Sequence, residues 1–217
     1  GVDTFTYTAS DGSHVGPAGT VSVLVGNAQV GALVNEGNGQ RSSVRSMTVV
    51  FSGVVTFAGD PAAAFQLART GPNGTTGNVG LAANVQVLNG RTVVTLTFSG
   101  PFAESNTATG ANRSLIDGIY TLTVFANQVS LGGVALDGNN DGTPGGDFTL
   151  TTHRLFGDID GDGDVDLLDL NPLVPALFAV QGQPNYNPGF DFEGDGDVDL
   201  LDLNQFVSRL FLSGYTP

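Results

Sequence analysis

The acidic residues near the end of the chain have a spacing that suits one kind of chemistry. From Asp158 the sequence reads DIDGDGDVDLLD, with Asp158, Asp160, Asp162, Asp166 and Asp169 at positions 1, 3, 5, 9 and 12 of a twelve-residue stretch. Gly163 holds position 6 and Asp164 position 7. From Asp191 the pattern recurs as DFEGDGDVDLLD, with Asp191, Glu193, Asp195, Asp199 and Asp202 in the acidic positions, Gly196 at position 6 and Asp197 at position 7. Five carboxylates confined to one loop repel one another unless a cation sits among them. A hard divalent ion with oxygen ligands relieves that repulsion. So many protein oxygens suit the flexible six- to eight-coordinate shell of calcium better than the strict octahedron of magnesium. The position-6 glycine permits the sharp turn that brings early and late ligands together. Asp164 and Asp197 are expected to lend their backbone carbonyls. Val165 and Val198, at position 8, are expected to pair across the two loops and enter the core.

A third candidate runs from Asp137 to Asp147, DGNNDGTPGGD. Asp137, Asn139 and Asp141 repeat the 1-3-5 spacing, Gly142 holds position 6, Thr143 could offer its carbonyl, and Asp147 could complete the shell. A polar, glycine-rich turn accounts for the same residues equally well. Two calcium sites are therefore expected, with this loop as a candidate third.

These loops belong to a repeat. Gly161 to Asn171 reads GDGDVDLLDLN, and the same eleven letters return 33 positions later, from Gly194 to Asn204. Charge marks where the repeat region starts. Up to Gly157 the chain has nine acidic residues and six arginines, net −3; from Asp158 it has twelve and one, net −11. After the second loop, Leu200, Leu203, Phe206, Val207, Leu210 and Phe211 form an apolar stripe that predicts a helix.

The preceding body, from about Ala28 to His153, predicts strands. Met47–Phe51, Val54–Phe57, Phe65–Ala68, Val85–Leu88, Thr92–Phe98, Ile119–Phe125 and Phe148–Thr151 are short β-prone runs, most of them separated by Gly, Asn, Asp or Pro. Asn89-Gly90 between VQVL and RTVVTLTF predicts a hairpin with a type I′ turn. About seven short strands suggest an antiparallel sandwich. The first 27 residues contain two further strands, Thr4–Thr8 and Thr20–Val25. Two strands alone are marginal in water, so they are expected to complete a sheet elsewhere.

DIDGDGDVDLLDL and DFEGDGDVDLLDL resemble the paired loop–helix repeats of type I dockerin modules, over about 60 residues. The resemblance implies that each loop leads into a helix and that the two repeats pack as a pseudo-symmetric pair. Asp rather than Glu at position 12 fits that pattern, as does the missing helix before each loop. Three features depart from it. Pro172 and Pro175 fall in the first helix, which is expected to be short, kinked or partly 3₁₀. Glu193 replaces the usual Asp or Asn at position 3. Positions 10 and 11, small hydroxyl residues in many cohesin-binding dockerins, are Leu167-Leu168 and Leu200-Leu201 here.

The body (RSMTVVFSG, NGRTVVTLTFSG, DGIYTLTVFA) resembles bacterial Ig-like modules that precede dockerin repeats in large secreted proteins of planctomycete type. The opening DTFTYTASDG and GTVSVLVGN resemble the last strands of a cadherin-like repeat. The expected fold is mainly β: an antiparallel Ig-like β-sandwich over 28–156, preceded by a strand segment over 1–27. A small helical dockerin-like domain with two EF-hand-like loops follows over 157–217. The transition from FTLTTHRLF into the first loop has no flexible spacer. Leu155 and Phe156 are expected to pack between the parts and make one rigid unit.

Several functions are disfavoured. A net charge of −14 repels phosphate, so nucleic acid is an unsuitable partner. No apolar run approaches a membrane span. The chain has no Cys, which removes disulfide and thiol chemistry. It opens on Gly1 without a signal peptide and is expected to be a processed chain or a fragment. GxSxG, HExxH, a phosphate loop and a Cys pair are all missing, and the calcium loops occupy almost all the carboxylates. His14 and His153 are expected in surface or turn roles, and Glu36, Asp60 and Glu104 to be solvated. Asn73-Gly-Thr75 and Asn112-Arg-Ser114 match the glycosylation triplet, and 105–110 has candidate O-linked positions. Aromatic residues are 8% with no Trp, which disfavours a sugar-binding platform. The expected protein is a non-enzymatic, calcium-stabilised structural or adhesive module, secreted or on a bacterial cell surface. One expected partner is a second copy, joined through the N-terminal strands as a homo-oligomer or filament. The alternative is a dockerin anchoring a larger protein to a cohesin-bearing scaffold.

Overall fold

The computed structural model describes residues 2–8, 10, 12, 18–24, 28–104 and 114–215. His14, the 105–110 segment and the Asn112-Arg113 pair lie outside the described residues. In chain order the strands are β1 (Val2–Tyr7), β2 (Gly19–Leu24), β3 (Val30–Val34), β4 (Met47–Phe51), β5 (Thr56–Phe57), β6 (Phe65–Thr70) and β7 (Thr76–Asn78). They continue with β8 (Gly80–Leu88), β9 (Arg91–Ser99), β10 (Gly118–Val124), β11 (Val129–Leu131), β12 (Val134–Ala135) and β13 (Phe148–Arg154). Helices α1 (Leu167–Ala176) and α2 (Leu200–Val207) follow.

The body is built on two four-stranded antiparallel sheets, ordered β3-β4-β9-β8 and β13-β10-β6-β7. A smaller sheet, β12-β11-β5, lies beside them. Burial alternates along β4, β9 and β10, the period-2 pattern of strands with one covered face. Met47, Val49, Phe51, Val94 and Leu96 from one sheet share a single apolar core with Leu67, Tyr120, Leu122 and Val124 from the other. The hairpin forms as expected: Leu88 pairs with Arg91, and Asn89 and Gly90 both have positive φ, 51° and 75°. That pair of left-handed residues is what a type I′ turn requires.

β1 and β2 pair with each other, Phe5 opposite Val21. Among the described residues they form a two-stranded sheet of their own rather than completing another.

The tail has a separate core of Leu155, Phe156, Val165, Leu173, Ala176, Phe190, Val198, Phe206 and Tyr215. Helix α1 keeps α geometry through Pro172 and Pro175 and is ten residues long, against eight for the proline-free α2. The apolar stripe of the second repeat is narrower than expected. Leu203, Phe206 and Leu210 face the core, whereas Leu200, Val207 and Phe211 are exposed. Val165 and Val198 are both fully buried, but their backbones pair differently from the expectation. The Phe211 amide donates to the Val165 carbonyl at 2.6 Å, and the Phe178 amide to the Val198 carbonyl at 2.6 Å. Each loop therefore pairs with the chain leaving the other repeat's helix, and Phe178 and Phe211 reach that position in the left-handed region, φ 66° and 67°.

Candidate metal centre

Position 9 of each loop begins a helix. Asp166 caps α1 by accepting from the Leu168 amide at 2.6 Å, and Asp169 answers by accepting from the Asp166 amide at 2.9 Å. Asp199 and Asp202 do the same for α2. This reciprocal arrangement fixes positions 9 and 12 before any ion is considered. Asp169 also accepts from the Ile159 amide at 2.7 Å, and Asp202 from the Phe192 amide at 2.6 Å, which folds the start of each loop onto its end.

Position 1 is the other anchor. Asp158 is fully buried, with Oδ1 accepting from the Gly161 amide at 2.6 Å and Oδ2 from the Gly163 amide at 3.1 Å. Asp191 accepts from the Asp195 amide on Oδ1 and the Gly196 amide on Oδ2, both at 3.1 Å. Gly163 and Gly196 adopt φ of 94° and 98°, a region an L side chain enters only with strain.

The carboxylates converge. Oxygens of Asp158, Asp160 and Asp169 lie within 4.8 Å of one another, as do those of Asp164, Asp166 and Asp169, and those of Glu193, Asp199 and Asp202. Asp162, Asp191, Asp195 and Asp197 stand outside these groups; Asp162 and Asp195 accept from the amides two residues on, those of Asp164 and Asp197. Asp164 and Asp197, expected to lend their backbone carbonyls, each also bury a side-chain Oδ1 without a hydrogen-bond partner among the described residues.

Burial first, and neighbouring carboxylates second, push the Asp164 and Asp197 carboxyls above their ordinary value. Asp160 and Asp169 are raised in the same direction, burial leading. Asp202 is pushed up to about 7, by burial and then by Glu193. Clustered oxygens, orphaned buried oxygens and carboxyls that resist ionisation all fit a site built for a hard cation.

The 137–147 loop shares part of this geometry. Asp137 is buried and accepts from the Asp141 and Gly142 amides at 3.1 and 3.0 Å, the pattern of Asp191. Asn139 donates to Asp141, and Asp141 accepts from the Thr143 amide at 2.8 Å. Asp147 is directed elsewhere, accepting from the Ala126 amide at 2.8 Å.

Two residues are placed otherwise than expected. His153 is buried, its Nε2 2.7 Å from Asp158 Oδ2. Glu104 is paired with Arg154 rather than solvated. Arg154, 2% exposed, also donates to Asp117 Oδ1 at 2.6 Å, and Arg209 donates from Nε to Asp117 Oδ2 at 2.7 Å. Burial pushes Asp117 up, but Arg154, Arg209 and the Phe156 amide outweigh it and hold the carboxyl below its ordinary value. Both arginines also stack over Phe156 and Phe192. Leu155 and Phe156 belong to the tail core and also touch the body, the Leu155 amide donating to the Arg41 carbonyl at 3.2 Å and the Phe156 amide to Asp117 Oδ1 at 2.9 Å, so they and this charged layer together join body to tail. Isolated arginines and acids carry no periodic signal, so this layer could not be anticipated from local spacing.

A family model for the dockerin type I domain matches residues 156–211, the two loops and their helices. No curated protein and no solved structure matches the chain. The tail is thus dockerin-like, a calcium-binding and non-catalytic kind of module. Among the described residues no helix is long and apolar enough to cross a membrane.

Proposed function

We propose that the chain is a non-enzymatic building block of an extracellular assembly, in which a calcium-loaded tail anchors its parent protein to a cohesin-like partner. The observation that carries this reading is the exposure of the twin leucine pairs. Leu167, Leu168, Leu200 and Leu201 are 58%, 62%, 60% and 63% exposed, at equivalent places on the two repeats. Leucines excluded from the tail core at both sites suit a docking surface. Calcium would be held by Asp158, Asp160, Asp162, Asp166 and Asp169, and by Asp191, Glu193, Asp195, Asp199 and Asp202, with Asp164 and Asp197 at position 7. The shared turn at Asp137 supports a weaker third site with Asn139, Asp141 and Thr143, with Asp147, whose Oδ1 accepts from the Ala126 amide, as the least supported member.

We assign the domains as 1–27, 28–156 and 157–217. Two observations support an Ig-like sandwich for the middle part. The strand orders β3-β4-β9-β8 and β13-β10-β6 correspond to A-B-E-D and G-F-C of that fold. Tyr120, near the start of the strand equivalent to F, donates its hydroxyl to the Ile116 carbonyl at 2.6 Å, the arrangement of a tyrosine corner. Strand donation into a filament has less support, since β1 and β2 satisfy each other.

Capture of purified cohesins by the immobilised chain, in calcium and in chelator, tests the anchoring role. Calcium-dependent capture that Leu167→Lys with Leu200→Lys abolishes is the expected result. Capture unaffected by those changes would overturn the docking surface, and no capture with both loops loaded would leave the structural role without an anchor.

A further inference from the structure

We propose that His153 and Tyr186 are equivalent positioning residues, one for each calcium loop, and that the body thereby supplies part of the first site. The inference rests on the calcium reading above. His153 stands five residues before Asp158, and Tyr186 five before Asp191, so the two are separated by the same 33 positions as the loops. Their contacts match. His153 Nε2 lies 2.7 Å from Asp158 Oδ2, and the Tyr186 hydroxyl donates to Asp191 Oδ2 at 2.7 Å. On each loop that same oxygen also accepts from the position-6 glycine amide, at 3.1 Å.

The chemistry follows from the lone pairs. A carboxylate only accepts, so Nε2 of His153 carries the proton in this contact. Two donors on Oδ2 occupy both of its lone pairs. Oδ1 accepts from one amide, Gly161 in the first loop and Asp195 in the second, and keeps a lone pair for a cation. The outer residue thus fixes which oxygen of the first ligand faces the ion. Outer partners of this kind orient metal ligands, and their loss typically weakens binding by about 10- to 100-fold.

The two partners come from different places. Tyr186 lies in the tail's own connection between α1 and the second loop. His153 lies on β13, paired with Ile119 of β10 in the body sheet. Other body residues support the same loop: the Arg41 amide donates to the Asp158 carbonyl at 2.9 Å, and Ser42 Oγ accepts from the Gly157 amide at 2.7 Å. The partner of the second loop's first ligand therefore comes from the tail itself, whereas that of the first loop comes from the docked body.

The test is a calcium titration of the full chain followed by NMR at the Gly163 and Gly196 amides, which reports each loop separately. His153→Ala is expected to weaken the Gly163 response about 10- to 100-fold and leave Gly196 within about twofold. Tyr186→Phe is expected to do the reverse. His153→Gln, which keeps an N–H donor, should recover most of the first-site affinity, which a purely space-filling role for His153 would not predict. If His153→Ala fails to fold, His153→Gln and Tyr186→Phe carry the comparison. Both loops keeping wild-type affinity in these variants would overturn this inference and leave the calcium reading intact. A wild-type chain that takes up no calcium would overturn the calcium reading, and this inference with it.

Discussion

Replacing Asp117 by Ala removes the acceptor on which the joint between body and tail converges. Asp117 takes Arg154 at 2.6 Å and the Phe156 amide at 2.9 Å on Oδ1, and Arg209 at 2.7 Å on Oδ2. Arg154 is 2% exposed, so it is left as a buried cation with Glu104 as its one remaining carboxylate among the described residues. Breaking a buried ion pair from one side typically costs about 3–5 kcal/mol. For a chain of this size about 1 kcal/mol moves the melting temperature by 2–4 °C, which places the expected drop at about 6–20 °C. Differential scanning calorimetry at neutral pH in calcium reads it, with Glu36→Ala as the exposed control, expected within about 0.5 kcal/mol of wild type. Because the contact spans β10 and the segment after α2, the variant should also resolve body and tail into separate transitions. The folded-state carboxyl lies below its unfolded value, so its contribution is complete above the ordinary aspartate range and is lost as pH falls through the depressed value. A melting temperature within about 2 °C of wild type, in one unchanged transition, would refute the claim that this layer couples the two parts.

Three further outcomes are expected. In excess chelator the Asp202 carboxyl, pushed up to about 7, makes folding of the tail favour the protonated form. That stability is complete below the ordinary aspartate value and lost as pH rises through about 7, so circular-dichroism melts of the chelated protein should be higher near pH 5 than near pH 8. Calcium should reverse that order because it binds the ionised loop, and a chelated tail more stable at the higher pH would contradict the prediction. Tyr120→Phe removes the hydrogen bond to the half-buried Ile116 carbonyl and should cost about 0.5–1.5 kcal/mol in urea unfolding with an unchanged slope. Gly161→Ala would set a Cβ 2.1 Å from the Gly39 carbonyl oxygen, whereas Gly182→Ala, at a similarly positive φ, meets nothing within 4 Å. Thermal melts should therefore show Gly161→Ala as the more damaging, and equal effects would argue against close packing of the first loop on the body.

The legible features were those with a local physical cause. The Asn89-Gly90 turn could be read because two consecutive left-handed residues favour that dipeptide. The clustering of the loop carboxylates could be read because their positions recur around fixed glycines. Strands β3, β7, β11 and β12 were not among the expected runs; three of them are only two or three residues long, and β3 and β7 each contain a glycine. The strand order required the structure, since period-2 burial says which face is covered and nothing about which strand lies next to which.

The linear order of residues determined the two loops, their helical exits and the hairpin, because each depends on neighbours within about a dozen positions. Tertiary structure alone decided which chain segments Val165 and Val198 pair with. It also decided that His153 faces Asp158 from a body strand, and that Glu104, Asp117, Arg154 and Arg209 meet. Contacts between positions as far apart as Asp117 and Arg209 form only when two separately built cores come together. Nothing in local spacing encodes that approach.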